Sequence, residues 1–112
     1  MKVNQVPPEE LVFEGPPLAV LAFEVPSEVA SNFHLMEYED DLDTYHATYF
    51  EVYGVAIELN RYRGGPPDVY TILVDETAAE AIAIPAMAIA KLILAELSVG
   101  EETIVWMHTK SR

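Results

Sequence analysis

The strongest constraint on the fold is a pair of β-rich runs that flank a turn sequence. The first run, Val55–Arg63, alternates apolar and polar side chains, and the second, Val69–Val74, is rich in β-branched residues. Between them lies Gly64–Asp68, with the sequence GGPPD, whose residue types favour turns. This arrangement predicts a β-hairpin. We expect the hairpin to form the central scaffold of a sheet.

The segment before the hairpin has two interpretations. Tyr45 and Tyr49 could lie on one face of a helix that is capped by Asp43 or Thr44 and ends at a left-handed Gly54. The Thr, Tyr, Phe and Val content of the same segment favours a strand instead. The apolar alternation changes phase at Gly54, and a period of two cannot change faces without a break. Gly54 therefore marks a boundary or a bulge, and a strand follows it.

Shorter signals predict the elements outside this region. Residues 1–17 are rich in Pro and Glu and predict an extended arm. The apolar run Leu18–Phe23 predicts a buried strand, and Ser27 is a candidate N-cap for a short helix over Glu28–Phe33. Near the other end of the chain, Glu102–His108 predicts a final strand.

A long apolar stretch before that last strand predicts a helix. Thr77 and Glu80 have the spacing of a capping box, so the helix is expected to begin there and to end before Gly100. Pro85 lies inside this stretch, and a proline in a helix interior costs about 3 kcal/mol. We therefore expect a kink, or two helical pieces that meet at Ile84–Pro85.

These elements predict an α+β fold. The length of 112 residues favours a single domain that spans residues 1–112. Hairpin-linked strands, without regular βαβ units, predict an antiparallel or mixed sheet around the central hairpin, and the long apolar C-terminal helix is expected to pack on one face of it. A chain of this size buries enough surface to fold without a disulfide or a metal.

The charge distribution is strongly asymmetric. The formal net charge is −13, and no Lys or Arg lies between Lys2 and Arg61. The acidic residues of this stretch are Glu9, Glu10, Glu14, Glu24, Glu28, Glu37, Glu39, Asp40, Asp41, Asp43, Glu51 and Glu58. Their repulsion costs stability, which favours solubility or a basic partner as the compensating role. Nucleic acid and anionic membranes are disfavoured as partners, because phosphate binding depends on Lys and Arg.

Several protein classes are disfavoured by what the chain lacks. The absence of cysteine excludes thiol catalysis, zinc-thiolate sites and disulfides. The first residues lack the apolar run of a signal peptide. The Ala81–Leu97 stretch contains Pro85, Lys91 and Glu96, which disfavours a membrane span. We expect a cytoplasmic protein without cofactors.

The segment Met36–Tyr49 interleaves carboxylates with tyrosines and is the main candidate for a functional site. One interpretation is a protein-binding patch, in which tyrosines anchor a basic partner and carboxylates pair with its Lys and Arg side chains. Another is a solvated loop whose tyrosines pack into the core. A third is a metal site, although the run lacks the Gly and closing Glu of an EF-hand loop. Its ligands would be His34, Glu37, Glu39, Asp41, Asp43 and His46.

Arg61 and Arg63 form the basic cluster of the chain and point to one face of the predicted strand. They are expected either to bind an anion or a partner's carboxylate, or to pair with Asp68 or Asp75 across the hairpin. The residues predicted to bind a partner are Glu37, Tyr38, Glu39, Asp41, Asp43, Tyr45, Arg61 and Arg63.

No motif in the sequence specifies a reaction. His34, His46 and His108 are scattered, without a Ser or Asp in a catalytic arrangement, and are expected to be structural. Trp106 lies in an apolar run and is expected to belong to the core. Gly64-Gly65 precedes two prolines, which have no amide protons to offer a phosphate. We therefore expect a protein that is not an enzyme.

The stretch Tyr49–Glu76 carries a family resemblance. An aromatic-rich segment, a glycine and a strand that ends Leu-Asn-Arg-Tyr-Arg lead through a Gly-rich turn to a second strand that ends Leu-Val-Asp-Glu. In these features the chain resembles the small acidic immunity proteins of bacterial polymorphic-toxin and contact-dependent growth-inhibition systems. The resemblance implies that the chain neutralises a cognate toxin by binding it, and it assigns no individual residues.

The sequence thus predicts an acidic binding protein whose partner is a basic protein, such as a toxin domain. Two other classes stay open as alternatives. One is a small ligand-binding or enzymatic α+β domain with a pocket between helix and sheet. The other is a structural homo-oligomer, such as a homodimer, that uses its edge strand.

Overall fold

The computed structural model describes residues 3–41 and 43–108, which form one seven-stranded antiparallel sheet with helices packed against it. The strands are β1 (Asn4–Val6), β2 (Pro17–Glu24), β3 (Met36–Glu39), β4 (Thr44–Val52), β5 (Val55–Tyr62), β6 (Val69–Asp75) and β7 (Ile104–Met107). The α-helices are α1 (Ser27–Ala30), α2 (Glu76–Ala81) and α3 (Ala86–Glu96). Short 3-10 helices lie at Pro8–Glu10, Ser31–Phe33 and Glu101–Thr103. The α+β architecture is confirmed.

The predicted hairpin lies at the centre of the sheet. The strand order is β1-β4-β5-β6-β2-β7, and β3 also pairs with β4. β5 ends at Tyr62 and β6 begins at Val69, so the connecting turn contains Gly64–Asp68 as expected. The hairpin therefore has paired strands on both of its sides, which is the position of a central scaffold.

One face of the sheet forms the hydrophobic core. The register places Ile57 opposite Val74 and Leu59 opposite Ile72, and all four side chains are 0 % exposed. Helix α3 packs against β2 and β6, and its buried residues belong to the same cluster. Burying a side chain of this kind contributes about 1.5–3 kcal/mol. This layer is therefore the main source of stability.

The segment before the hairpin is a strand, which decides between the two interpretations of this region. β4 pairs with β5 up to Val52 opposite Val55. Tyr53 and Gly54 make the turn, and their φ angles are 55° and 79°. Positive φ at both central positions is the geometry of a type I′ hairpin turn. Gly54 is thus a boundary in the left-handed region, as the change of phase predicts.

The prediction of one long C-terminal helix is wrong, because the stretch forms two short helices. α2 ends at Ala81, and α3 begins at Ala86 and has 11 residues. Pro85 is the N-cap of α3, a position at which the helix needs no amide proton. Two helical pieces are therefore present as expected, but they do not meet at Ile84–Pro85, because residues 82–85 separate them. Among the described residues, no helix combines the length and the apolarity that crossing a bilayer requires.

The start of α2 differs from the capping-box prediction. Its N-cap is Asp75, whose carboxylate accepts a hydrogen bond from the backbone N–H of Ala78. Thr77, the predicted cap, lies inside the helix and is exposed. The N-cap of the helix therefore lies two residues earlier than the capping box indicates, directly at the end of β6.

Two other predicted helix ends need the same kind of correction. Ser27 is the first residue of α1 and makes no capping bond, since Pro26 occupies the N-cap position. After α3, the left-handed residue is Ser98, with a φ of 60°, whereas Gly100 has a φ of −77°. The glycine is thus not needed to end the helix.

The N-terminal arm is more structured than predicted. Its first described residues form β1, which pairs with β4. Further along, the backbone N–H of Glu14 donates a hydrogen bond to the Asp75 carboxylate. Gly15 lies against Thr77, since a Cβ atom at Gly15 would collide with the Thr77 hydroxyl oxygen. The arm therefore connects the β4 side of the sheet with the start of α2 before it enters β2.

Candidate functional site

Four tyrosines form an aromatic group across three neighbouring strands. Tyr38 stacks on Tyr45 with ring centroids 5.6 Å apart, and Tyr45 lies 5.1 Å from Tyr62. Tyr49 contacts Tyr38 edge-on, at 6.2 Å. We call these four residues the tyrosine cluster. Each aromatic pair contributes about 0.5–1.5 kcal/mol beyond its buried area, so the rings hold one another in place.

Strand register explains this arrangement. Tyr38 lies opposite Tyr45, and Tyr45 lies opposite Tyr62, so β3, β4 and β5 each supply one ring to the same row. Directly opposed side chains in antiparallel strands lie close enough to interact. Successive side chains of a strand point to opposite faces, and Ile57 and Leu59 of β5 face the core. The tyrosine cluster therefore lies on the face of the sheet opposite the core.

Burial and neighbouring carboxylates raise the pKa of two members of the tyrosine cluster, Tyr49 and Tyr62. The Tyr62 hydroxyl donates a hydrogen bond of 3.0 Å to Oδ2 of Asp40. Burial, this hydrogen bond and the charges of Asp40 and Glu58 raise the pKa of Tyr62 to about 12. Burial and the charge of Glu58 also raise the pKa of Tyr49. Tyr49 and Tyr62 thus present neutral hydroxyl groups beside the negative charges of Asp40 and Glu58.

A cleft of about 450 Å³ borders the tyrosine cluster. Its lining includes Tyr38 and Tyr49, residues 6–9 of the arm, and Met36. The Met36 side chain is 63 % exposed. Aromatic and Met side chains are enriched in protein–protein interfaces relative to the rest of the surface. The cluster and the cleft together form an aromatic surface with a recess beside it.

The structure separates two predicted carboxylates from the tyrosines. Glu37 and Glu39 alternate with Tyr38 along β3, so they point to the other face. Oε1 of Glu37 lies 3.6 Å from Nε2 of His46, and Glu39 is exposed. Of the predicted partner-binding residues, Tyr38 and Tyr45 therefore meet in the tyrosine cluster, whereas Glu37 and Glu39 lie apart from it.

The two aspartates of the predicted patch have different surroundings. Asp41 is exposed. Asp43 is half-buried, and its carboxylate accepts hydrogen bonds from the backbone N–H groups of Thr44 and Gly64, each at 2.7 Å. Asp43 thus links the turn between β3 and β4 to the turn between β5 and β6. Asp41 thus lies at the surface, whereas Asp43 supports the fold.

Arg61 and Arg63 also differ from each other in burial. Arg61 is half-buried and lies opposite His46, on the core side of the sheet, while Arg63 follows β5 and is exposed. The expected pairing with Asp68 or Asp75 is absent, since within residues 3–41 and 43–108 neither arginine forms an ion pair. Asp75 is 0 % exposed and caps α2 instead.

The two edges of the sheet differ in polarity. The exposed Glu37 and Glu39 place charge on the edge strand β3, which disfavours pairing with another chain. At the opposite edge, β7 pairs with β2 alone among the described strands. Its side chains Val105, Trp106 and Met107 are 54 %, 46 % and 46 % exposed. The expectation that Trp106 lies in the core is therefore wrong, because β7 is an edge strand.

A smaller cavity, of about 260 Å³, lies where α2 and α3 meet β2. Its lining is mainly apolar and includes Leu18, Ile84 and Met87, together with His108 and the carboxylates of Glu76 and Glu80. Within the described residues no hydrogen bond joins the His108 side chain to these carboxylates. The position matches the helix–sheet pocket of the ligand-binding alternative.

The residues considered as metal ligands do not come together as a metal site within the described part of the chain. In the part of the chain that the structure describes, no three His, Cys, Asp or Glu side chains are placed to hold a metal ion. Sequence reasoning misses Asp40, Glu58 and Tyr62, which border or complete the tyrosine cluster. Alternation along β5 is the signal that could find Glu58 and Tyr62, which share a face once β4 is known to be a strand.

Known proteins add no assignment to this surface. No protein-family model, curated protein or solved structure matches the chain. The functional interpretation therefore depends on the geometry and the charge described above.

Proposed function

We propose that this chain is a non-enzymatic acidic binding protein of the bacterial cytoplasm, and that it serves as an immunity protein that neutralises a cognate toxin by direct binding. The observation that carries the proposal is the tyrosine cluster, an ordered aromatic surface bordered by carboxylates on a chain of net charge −13. Tyr is among the residue types that dominate binding energy at protein interfaces. A basic toxin domain would be attracted by both features.

Binding would proceed in two parts. The acidic residues draw a basic partner towards the protein and raise the rate of association. The rings of Tyr38, Tyr45 and Tyr62 then anchor the partner, and the cleft beside Met36 receives one of its side chains. Because an ordered aromatic row loses little conformational entropy on binding, most of its contact energy is retained. The toxin is neutralised where the covered surface includes its active site.

Capture followed by a growth assay tests the immunity role. The tagged protein is cross-linked in its native cells, and the captured partner is identified by mass spectrometry. The partner is then produced in a host with and without this chain. A basic partner that stops growth alone but permits it in the presence of this chain supports the proposal. A partner whose toxicity this chain does not relieve contradicts it.

The apolar edge strand supports a second candidate function, a homo-oligomer. An exposed strand edge can add a strand from another chain through backbone hydrogen bonds, and β7 offers Val105, Trp106 and Met107 without protecting charge. Sedimentation over a range of concentrations would then reveal a dimer. Val105→Lys, which puts a charge on that edge, should restore the monomer. A wild-type monomer at every concentration contradicts this candidate.

The helix–sheet cavity supports a third candidate, a small ligand-binding domain. An apolar recess with a few polar groups is the usual form of a small-molecule site. A saturable rise in melting temperature with a small apolar compound would support this role, provided that Ala86→Phe, which fills the cavity, abolishes the rise. An equal rise in the filled variant would rule out this cavity as the site.

A further inference from the structure

A second cleft lies on the core side of the sheet, away from the tyrosine cluster. It has a volume of about 290 Å³ and lies beside α1 and strands β4 to β6. The polar side chains of its lining are Ser27, Ser31, His34, His46, Arg61 and Tyr70. In a chain with few basic residues, one arginine and two histidines thus meet at one recess.

Two nitrogen atoms at this cleft have no hydrogen-bond partner. Nε of Arg61 and Nδ1 of His46 are buried, and no described residue bonds to either. The other ring nitrogen of His46 faces Glu37 at 3.6 Å, so Nδ1 is the ring nitrogen that has no partner among the described residues. A buried polar group left unsatisfied is costly in a folded protein. A ligand that supplies an acceptor to Arg61 would remove that penalty.

We propose that this cleft binds a small molecule through a phosphate or carboxylate group. The guanidinium of Arg61 matches the geometry of either oxyanion and forms charge-assisted hydrogen bonds with it. The hydroxyls of Ser27 and Tyr70 add donors, and Nδ1 of His46 adds one when it carries the ring proton. The cleft is several times larger than the roughly 30 Å³ of a water molecule, so the oxyanion is one end of a larger ligand.

The site is independent of toxin binding, because it lies on the opposite face from the tyrosine cluster. Negative charge around the cleft lowers its affinity for an anion. The net charge of −13 repels anions at long range, and Glu37 stands beside His46. We therefore expect an isolated oxyanion to bind weakly, with Arg61 as the residue on which binding depends.

Two arginine substitutions separate this site from a general effect of charge. Arg61→Gln and Arg63→Gln remove the same charge two positions apart on the chain, but of the two only Arg61 lines the cleft. The full-length protein is titrated with inorganic phosphate and, separately, with acetate, and amide chemical shifts are followed by NMR. We expect saturable shifts at Ser31 and Arg61. Arg61→Gln should weaken binding about tenfold or more, since a hydrogen bond to a charged group is lost.

Arg63→Gln should change the affinity by less than about twofold, since its side chain is exposed. Thermal unfolding verifies that each variant is folded, and Arg61→Lys, which keeps the charge but removes the Nε donor, replaces Arg61→Gln if that variant does not fold. Binding of phosphate alone identifies a phosphate ligand, and binding of acetate identifies a carboxylate. Equal weakening by both glutamine variants, or saturation by neither anion, overturns the proposal.

Discussion

Oδ2 of Asp43 accepts a hydrogen bond of 2.7 Å from the backbone N–H of Gly64, which joins the turn after β3 to the turn after β5. The same carboxylate accepts the N–H of Thr44 through Oδ1, also at 2.7 Å. Asp41, two positions earlier, is exposed. Two acidic residues of one short segment therefore have different roles. Asp43 holds two turns together, whereas Asp41 contributes negative charge to the surface.

Replacing each aspartate by alanine distinguishes these roles. Asp43→Ala should lower the free energy of unfolding by about 1–3 kcal/mol, because two backbone N–H groups lose a charged acceptor. Asp41→Ala should change it by less than about 0.5 kcal/mol, as is usual for exposed positions. Urea unfolding of both variants measures the difference. Equal stability of the two variants would show that the bond between the turns contributes nothing.

Asp75 and Thr77, at the start of α2, are a second pair of residues whose substitutions can be compared. Asp75 is buried and accepts the backbone N–H groups of Ala78 and Glu14, whereas Thr77 is the cap that the sequence favours. Asp75→Ala should cost about 2 kcal/mol, at the upper end for a lost N-cap, since both donors lose their partner. Thr77→Ala should be nearly neutral. A larger loss of stability for the Thr77 variant than for the Asp75 variant would contradict the observed cap.

The turn between β4 and β5 predicts a stabilising substitution. Tyr53 is 54 % exposed and has a φ of 55°, a conformation that Asn adopts more readily than Tyr. Asn followed by Gly is the preferred pair in a type I′ turn. Tyr53→Asn should therefore raise the free energy of unfolding by roughly 0.5–1 kcal/mol. Gly54→Ala should lower it by about 1 kcal/mol, and thermal unfolding of both variants tests the assignment of the turn.

Local sequence signals predict the centre of this fold well. The alternation of Val55–Arg63 and the Gly/Pro turn define the hairpin, and Pro85 predicts the break between α2 and α3. These features depend on residues that are near one another in the chain. The cap of α2 is harder to predict, because Asp75 and Thr77 are both good N-cap residues and only the end of β6 decides between them.

The candidate site depends on long-range pairing, which the sequence leaves open. The spacing of Tyr45 and Tyr49 fits a helix as well as a strand, so the face on which they lie is undetermined until β4 pairs with β5. The tyrosine cluster then follows from register alone. Likewise, the exposure of Trp106 depends on the place of β7 at the edge of the sheet, and the composition of an apolar strand does not reveal that place.

Salt dependence tests electrostatic steering of the partner. The screening length falls from about 30 Å in 0.01 M salt to about 3 Å in 1 M salt. We therefore expect the association rate with a basic partner, measured by stopped flow, to fall at least about tenfold over this range. Asp41→Asn combined with Glu37→Gln and Glu39→Gln should lower the rate in low salt and leave the fold intact. An association rate that is constant across these salt concentrations would show that the acidic residues do not steer the partner.

The proposed function requires that the tyrosine cluster anchors the partner. Tyr62 and Tyr53 are both exposed, at 38 % and 54 %, but only Tyr62 belongs to the cluster, so Tyr53→Ala is the matched control for Tyr62→Ala. Tyr38→Ala tests a second ring of the row. Circular dichroism and thermal unfolding verify that each variant retains the fold before its binding is measured.

Calorimetric titration of the captured partner with these variants is the most direct test. Tyr38→Ala and Tyr62→Ala should each weaken binding by about 2 kcal/mol or more, as expected for aromatic anchors at the centre of an interface, while Tyr53→Ala binds like the wild type. If folded Tyr38→Ala and Tyr62→Ala proteins bind the partner as tightly as the wild type, the tyrosine cluster is not the binding surface.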